Sequence, residues 1–370
     1  MAASSPGDRV RVLHLIDVLP GSDGRFLHHQ VRRTIEGLPA DCEHVLLEVG
    51  AGERSQPELP ETHGRIGTMG DRMLANGEAL QDVLDTWSHR VGPFDLVHAW
   101  GTRSLHLRST CDDGPPCIGT LDTATLRETL IEALLRLHSS TRLQVQAGCA
   151  GMVKVLQKAG LGELDLACRP FGTDLLPVDA GQRESRRAQW GADEQTLVFG
   201  VFGDPKHWTS LRTLVGVPTR FALVGRSVRI VAHPESYGFQ QCRTWLQSMG
   251  NDRLLVADES MDAPWSMLPH VDAVLLQGTS GRRGEAMGML PLAWSLGSGL
   301  PILLGHGHPA DRELEGNPGI FRSVDRDENG ATRWVMARTE ANESTPASDL
   351  RIDEARWCEQ VRRDYDSLMG

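Results

Sequence analysis

Lys206 stands four residues beyond the end of an apolar run, Thr196 to Phe202 (TLVFGVF), on a short loop that opens with Gly203, Asp204 and Pro205. A lysine at the end of a strand can neutralise a small anion bound there. A second loop carries two adjacent cations, Arg282 and Arg283, ahead of Glu285. Gly21 and Gly24 follow the first apolar run, Val10 to Ile16 (VRVLHLI), where glycines allow close approach of backbone to a ligand. His98 lies in the run Phe94 to Ala99 (FDLVHA), and Asp122 directly follows Cys117 to Leu121. Either group can meet a hydroxyl or accept a proton. His306, Gly307 and His308 come after Leu300 to Leu304 (LPILL), but their spacing places no third metal ligand, so they make no metal motif. The plain alternatives are solvated cations at the arginines, a simple turn at the glycine pair, and a satisfied structural group at His98.

These residues fall at the ends of short apolar runs that alternate with helical stretches. Strands are expected at Val10–Ile16, His44–Val49, Phe94–Ala99, Cys117–Leu121 and Leu143–Ala147. Between them Phe26–Leu38, Leu74–Arg90, Leu126–Leu137 and Ala150–Ala159 read as helices. The pattern restarts after a polar stretch, Asp179 to Gln189, with strands expected at Thr196–Phe202, Thr219–Val224, Ser227–Val231, Arg253–Val256, Val271–Leu276 and Leu300–Leu304. Leu290–Leu296 reads as a helix, Asp325–Ser348 as a loop, and Ile352–Met369 as a terminal helix. Alternation of this kind implies parallel sheets with helical crossovers. The expected fold class is α/β, with two Rossmann-like domains over 1–178 and 195–348 and a terminal helix, 352–370, packing on the first. In that topology His98 faces the cleft between the domains, which is the default ligand site.

The length of 370 residues suits two domains at roughly 100–200 residues each. A net charge of -11 argues against a nucleic-acid partner, because phosphate neutralisation needs clustered Lys and Arg. One local basic pocket can still hold a diphosphate. No apolar run reaches the roughly 20 residues of a membrane span, and the first residues lack the features of a signal peptide. A cytoplasmic protein is expected, with a peripheral membrane contact left open. The cysteines number seven and form no Cys-x-x-Cys pair, so buried free thiols are expected.

Fragments in order along the chain resemble the GT-B glycosyltransferases of the family-4 type, which are retaining and use nucleotide sugars. VLHLIDVLPGSDGRF is similar to the family's first strand and glycine loop, and FDLVHAWG to its "D-V-V-H-x-H-G" strand. CRPFGTDLLP resembles the linker "I-P-N-G-V-D", with Gly172 and Asp174 matching. RRAQWGADEQTLVFGVFGDPKHW looks like the entry to the donor domain, and LPHVDAVLL like "Y-x-x-A-D-V-F-L" through Asp272. GEAMGMLPLAWSLGSGLPILLGHGHPADREL resembles "E-G-F-G-L-V-L-L-E-A-M-A-C-G-L-P-V-I", and ARWCEQVRRDYDSLM the helix that crosses back.

The resemblance implies a glycosyltransferase that moves a sugar from a nucleotide-diphosphate sugar to an unidentified acceptor, with no further cofactor. It implies that Lys206 carries the diphosphate, with Gly203 in the same loop. Asp204 stands where the family has an arginine, and Arg282 and Arg283 are the candidates to supply that charge. Glu285 lies one position from the family's sugar-contacting glutamate. Trp294 falls on the family's ribose-binding glutamate, and its plain reading is a packed aromatic. Gly21 and Gly24 would face the donor phosphates or the acceptor. His98 and Asp122 would touch a sugar hydroxyl or act as base, and His306 and Gly307 would contact the donor. Two other readings stay open: a non-catalytic GT-B relative that binds a nucleotide, sugar or protein partner, and a sugar-nucleotide epimerase.

Overall fold

The computed structural model describes residues 10–17, 21–39, 42–49, 65–69, 85, 89, 92–111, 114–122, 127–175, 178–202, 208–234, 239–258, 264–277, 279–280, 285–286, 288–322, 324, 326–341 and 350–370. For 21–25, 65–69, 208–214, 264, 279–280, 285–286 and 340–341 it describes the backbone alone.

The first half runs β1 (Val10–Asp17), α1 (Gly21–Gly37), β2 (Cys42–Val49), β3 (Arg65–Met69), β4 (Leu96–Trp100), α2 (Thr102–Arg108), β5 (Cys117–Leu121), α3 (Glu128–Ser140), β6 (Leu143–Ala147), α4 (Ala150–Leu156) and β7 (Asp165–Cys168). Its strands form one seven-stranded sheet in the order β3-β2-β1-β4-β5-β6-β7, and every neighbouring pair is parallel. β4, β5 and β6 are buried at every position; β4 and β5 read as nearly unbroken apolar runs, while β6 alternates with the buried Gln144 and Gln146.

β8 (Phe171–Gly172) and α5 (Ala180–Gln189) lead into the second half. The Asp179 side chain accepts from the Gln182 backbone N–H while Gln182 reaches back, so a reciprocal cap starts α5. The second half runs β9 (Leu197–Phe202), α6 (Trp208–Leu223), β10 (Val228–Ala232), α7 (Phe239–Ser248), β11 (Leu255–Ala257), α8 (Pro264–Met267), β12 (Ala273–Leu276), the short pair β13 (Thr279–Ser280) and β14 (Glu285–Ala286), α9 (Met289–Ser298), β15 (Ile302–Leu304), β16 (Ile320–Arg322) and α10 (Glu328–Ala341). Its six-stranded parallel sheet has the order β11-β10-β9-β12-β15-β16. In both sheets the order runs outward to one side of the first strand and then resumes on the other. The reversal point lies between β1 and β4 in one sheet and between β9 and β12 in the other, and such points are where these folds leave a ligand crevice.

The chain ends with β17 (Arg351–Ile352), which pairs with β8, and α11 (Glu354–Met369). α11 packs on the first half. The Trp357 indole N–H donates to Thr34 of α1 at 2.8 Å, and Arg169 at the end of β7 grips Asp364 at 2.7 Å. One apolar core is continuous from the first sheet across the junction to Phe202, Met267, Leu290 and Trp294. A second core, with Phe199, Phe221 and Val335, lies within the second half.

Three sequence expectations change. α1 begins at Gly21, so Gly21 and Gly24 lie in the first turn of a helix rather than in a loop. Thr219–Val224 belongs to a helix up to Leu223: β9 and β10 are parallel neighbours, and joining them requires a crossover, which α6 supplies. Val217 and Phe221, one helical turn apart, are both fully buried by it. The expected loop after Asp325 contains α10, where Ala331 and Val335 repeat one turn apart with no exposure, and Glu328 pairs with Arg220 at 2.8 Å. Most of the helix expected over 74–90 lies outside the described residues; Asp85 and His89 within it are helical. Among the described residues no helix is long and apolar enough to cross a membrane.

Candidate active site

Protein carboxylates occupy helix N-termini within the first half and where the two halves meet. A helix N-terminus presents unpaired backbone N–H groups and a partial positive charge, so it attracts anions. Asp17 ends β1, at the reversal point of the first sheet. Its carboxylate accepts from the backbone N–H of Arg103 at 2.9 Å and of Ser104 at 2.6 Å, and from the Ser104 hydroxyl at 2.6 Å. Gly101, with φ 102°, makes this possible, because a Cβ there would overlap the Asp17 carboxylate. Burial raises the Asp17 carboxyl to about 6 despite these hydrogen bonds.

Asp122 reaches across the junction. Its carboxylate accepts from the Leu290 backbone N–H at 2.7 Å, and its backbone carbonyl accepts from Met289 at 2.8 Å, both at the start of α9 in the second half. It is 4% exposed, and its second carboxylate oxygen is buried with no hydrogen-bond partner among the described residues. Burial raises this carboxyl to about 6, against the pull of the Leu290 and Met289 amides. The reciprocal contact comes from Glu313 of the second half. It accepts from Ala150 at 3.2 Å and Gly151 at 2.7 Å, at the start of α4 in the first.

His98 is not at the cleft. It is fully buried in β4, with Nδ1 2.8 Å from the Tyr365 hydroxyl and Nε2 2.7 Å from Thr120. The single Thr120 proton goes to Gln146 Oε1 at 2.9 Å, so Thr120 accepts from His98 Nε2–H, and His98 Nδ1 then accepts from Tyr365. Gln146 in turn donates to Asp364, which closes a ring of hydrogen bonds between the first sheet and α11. Burial holds the His98 imidazole neutral, with its pKa well below the ordinary value. The expectation that His98 meets a sugar does not fit a ring whose two nitrogens are both engaged in the interior.

His306 lies 2.7 Å from the Arg326 guanidinium, and Gly307 carries the turn after it at φ 81°. His308 is buried, and burial lowers it to about 4. Glu285 pairs through its backbone with Ser280 in the small antiparallel ribbon, and its side chain is outside the described atoms. Gly203, Lys206, Arg282 and Arg283 lie outside the described residues. The structure therefore brings Asp122 to the interdomain junction and takes His98 away from it. Among the described residues no group of three His, Cys, Asp or Glu side chains is arranged to hold a metal ion.

Trp294 is 2% exposed in α9 and packs against His29 at 5.2 Å and Trp265 at 6.1 Å between ring centroids. His29 of α1 stacks on Trp265 at 3.6 Å, so aromatic rings from both halves interleave at the hinge. Burial, with Arg33 and Arg32 adding to it, lowers His29 to about 3. Beside this stack opens a cavity of about 960 Å³, lined by Arg33, Trp265, Arg186 and His270 among others. Its two arginines are already paired, Arg33 with Glu354 and Arg186 with Asp258.

Asp17 was missed by sequence reasoning, although a carboxylate at a strand end followed by glycines was the available signal. Glu313 follows Leu300–Leu304 with His306, Gly307 and His308, in a loop that sequence reading gives to the donor; the structure instead sets its carboxylate on the start of α4 in the first half.

No family model matches the chain, and no curated protein matches it. Solved structures do. Sucrose-phosphate synthase from Thermosynechococcus elongatus matches over 97% of this chain and 99% of its own, with 10% identity and a TM-score of 0.67. Anabaena HepE in complex with UDP-glucose matches over 97% and 100%, with 14% identity and a TM-score of 0.66. The chain has the GT-B fold. A glycosyltransferase from Rickettsia africae shares this fold over 98% of the chain and 99% of its own, with 11% identity and a TM-score of 0.59. Asp122 is a contact that the first half makes with the start of α9 in the second.

Proposed function

We propose that the chain is a glycosyltransferase that moves a sugar from a nucleotide-diphosphate sugar to an acceptor. The observation that carries this is the whole-chain likeness to HepE in complex with UDP-glucose, over 97% of this chain. The two parallel sheets, each with a reversal point, support the same reading. In it the donor lies between the halves. Transfer breaks the bond from the sugar's anomeric carbon to the diphosphate oxygen and forms one to an acceptor oxygen. Negative charge builds on the departing diphosphate, and a fixed cation or backbone N–H stabilises it. Lys206 is assigned that cation, with Gly203 in its loop and Arg282 and Arg283 as further charges. Glu285 is assigned to the sugar, Gly21 and Gly24 to the close approach at the start of α1, and His306 and Gly307 to the loop beyond β15.

A second reading is a relative that binds the nucleotide without transferring sugar. The specific observation favouring it is Trp294, buried where the family carries a ribose-binding carboxylate. A thermal-shift screen with UDP-, GDP- and ADP-sugars tests binding, since a ligand of the native state raises the melting temperature by mass action. The transferase reading expects one donor to stabilise the protein and to release nucleoside diphosphate when acceptors are supplied. Stabilisation without release under any acceptor supports the second reading, and no stabilisation by any nucleotide sugar overturns both.

A further inference from the structure

The Asp122 carboxylate meets the N-terminus of α9 from the opposite half of the molecule. α9 is a ten-residue helix, and its leading amides are among the strongest fixed anion donors near the junction. Asp122 takes the Leu290 N–H through one carboxylate oxygen. The other points at Gly288, where a Cβ would overlap it, and has no partner among the described residues. A carboxylate buried to this degree, with one oxygen unsatisfied, is held at a cost in desolvation. That cost matches the raised Asp122 carboxyl. The same helix terminus follows directly on the segment that carries Arg282, Arg283 and Glu285.

We propose that Asp122 is an interdomain latch that competes with the donor's phosphate for the N-terminal amides of α9. With the latch in place, the Leu290 N–H is filled by the Asp122 carboxylate and the Met289 N–H by the Asp122 backbone carbonyl, and the halves are drawn together. A nucleoside diphosphate displaces the carboxylate, which moves from a dry site with one idle oxygen into water. The exchange swaps one anion for another on the same donors, so the helix terminus is never left unpaired. Asp122 thereby sets the affinity threshold for the donor and rests the empty protein in a closed, blocked arrangement. This inference rests on the donor reading given above.

Calorimetric titration with UDP, GDP and ADP tests it on the full chain. Asp122→Ala frees the Leu290 N–H, the Met289 N–H staying on the backbone carbonyl of residue 122, and Asp122→Asn keeps the shape and one acceptor but removes the charge. For whichever diphosphate binds, Asp122→Ala is expected to tighten binding about tenfold, the scale of one charge-assisted hydrogen bond, and Asp122→Asn by a smaller factor. Glu313→Gln weakens the reciprocal contact without freeing α9, and its affinity is expected within about twofold of the parent. Equal or weaker binding by both Asp122 variants overturns the latch and leaves the donor reading intact. An equal gain from Glu313→Gln also overturns it, because the gain then comes from loosening the halves. Failure of all three diphosphates to bind the parent and every variant overturns the donor reading and the latch with it.

Discussion

Glu313 of the second half accepts a hydrogen bond of 2.7 Å from the Gly151 backbone N–H of the first, the mirror of the contact Asp122 makes in the other direction. The approach is close enough that a Cβ on Gly151 would stand on the Pro309 carbonyl oxygen, which is backbone and cannot turn aside. Gly151→Ala is therefore expected to push the halves apart. Small-angle scattering should show a larger radius of gyration than the parent, with circular dichroism unchanged. An unchanged radius would mean that the junction absorbs the methyl group locally.

Lys206→Ala is expected to weaken binding of the nucleoside diphosphate about 10- to 150-fold, from a charge-assisted hydrogen bond of about 1.5–3 kcal/mol. Calorimetry on parent and variant measures it. Equal affinity would return Lys206 to the solvated surface.

His98 and Tyr365 form a structural pair in a dry network, so their variants should act on stability. Tyr365→Phe leaves His98 Nδ1 without its donor and is expected to cost about 1–3 kcal/mol in urea unfolding. Its turnover, corrected for folded fraction, should equal the parent's. A tenfold loss of turnover at unchanged stability would place this pair in the chemistry after all.

Acid should destabilise the fold through buried neutral histidines. His308 has a folded pKa lowered to about 4, below the unfolded value of about 6.5. The unfolded chain takes up the proton first, so this contribution is fully present above about pH 6.5 and is lost as pH falls toward 4. It amounts to about 3 kcal/mol at most. Asp17 and Asp122, raised to about 6, act with the opposite sign: each gains stability as pH falls from about 6 toward 4. Comparing unfolding of the parent and His308→Gln between pH 7 and 4.5 isolates the histidine. The variant should lose less stability on acidification, and identical slopes would contradict the assignment.

Trp294→Glu places a carboxylate where the family resemblance would put its ribose-binding glutamate, but the side chain it replaces is 2% exposed among His29 and Trp265. The variant buries an unpaired charge and is expected to lose several kcal/mol of stability with no gain in nucleotide affinity, as about 3–5 kcal/mol follows from such a change. A stable variant with tighter binding would put position 294 at the nucleotide and contradict its reading as a packed aromatic.

The strands were legible because a parallel strand covered on both faces has no choice but to be apolar, as in VRVLHLI, TLVFGVF and LPILL. Thr219–Val224 misled because it ends in the apolar run Phe221 to Val224, and only the parallel pairing of β9 with β10 demands a helix there. α10 was hidden because its apolar residues, Ala331, Trp334, Val335 and Met336, are few among polar ones. Within the site, Asp122 stood out as a polar residue at a strand end. Its partner on α9 lies 168 residues away and leaves no local trace. His98 offered the same strand-end signal and proved to be interior, since sequence does not say which neighbours a buried imidazole will find.

Hydrogen–deuterium exchange on the full chain, with and without a saturating nucleotide sugar found by the thermal screen, tests the location of the donor most directly. A donor held between the halves should slow exchange in peptides covering 18–25, 203–207 and 281–290 together, segments that sequence assigns to both sides of the cleft. Protection confined to the hinge segments 174–189 and 264–270, or to one half alone, would contradict a GT-B donor site and move the ligand to the cavity beside Trp265.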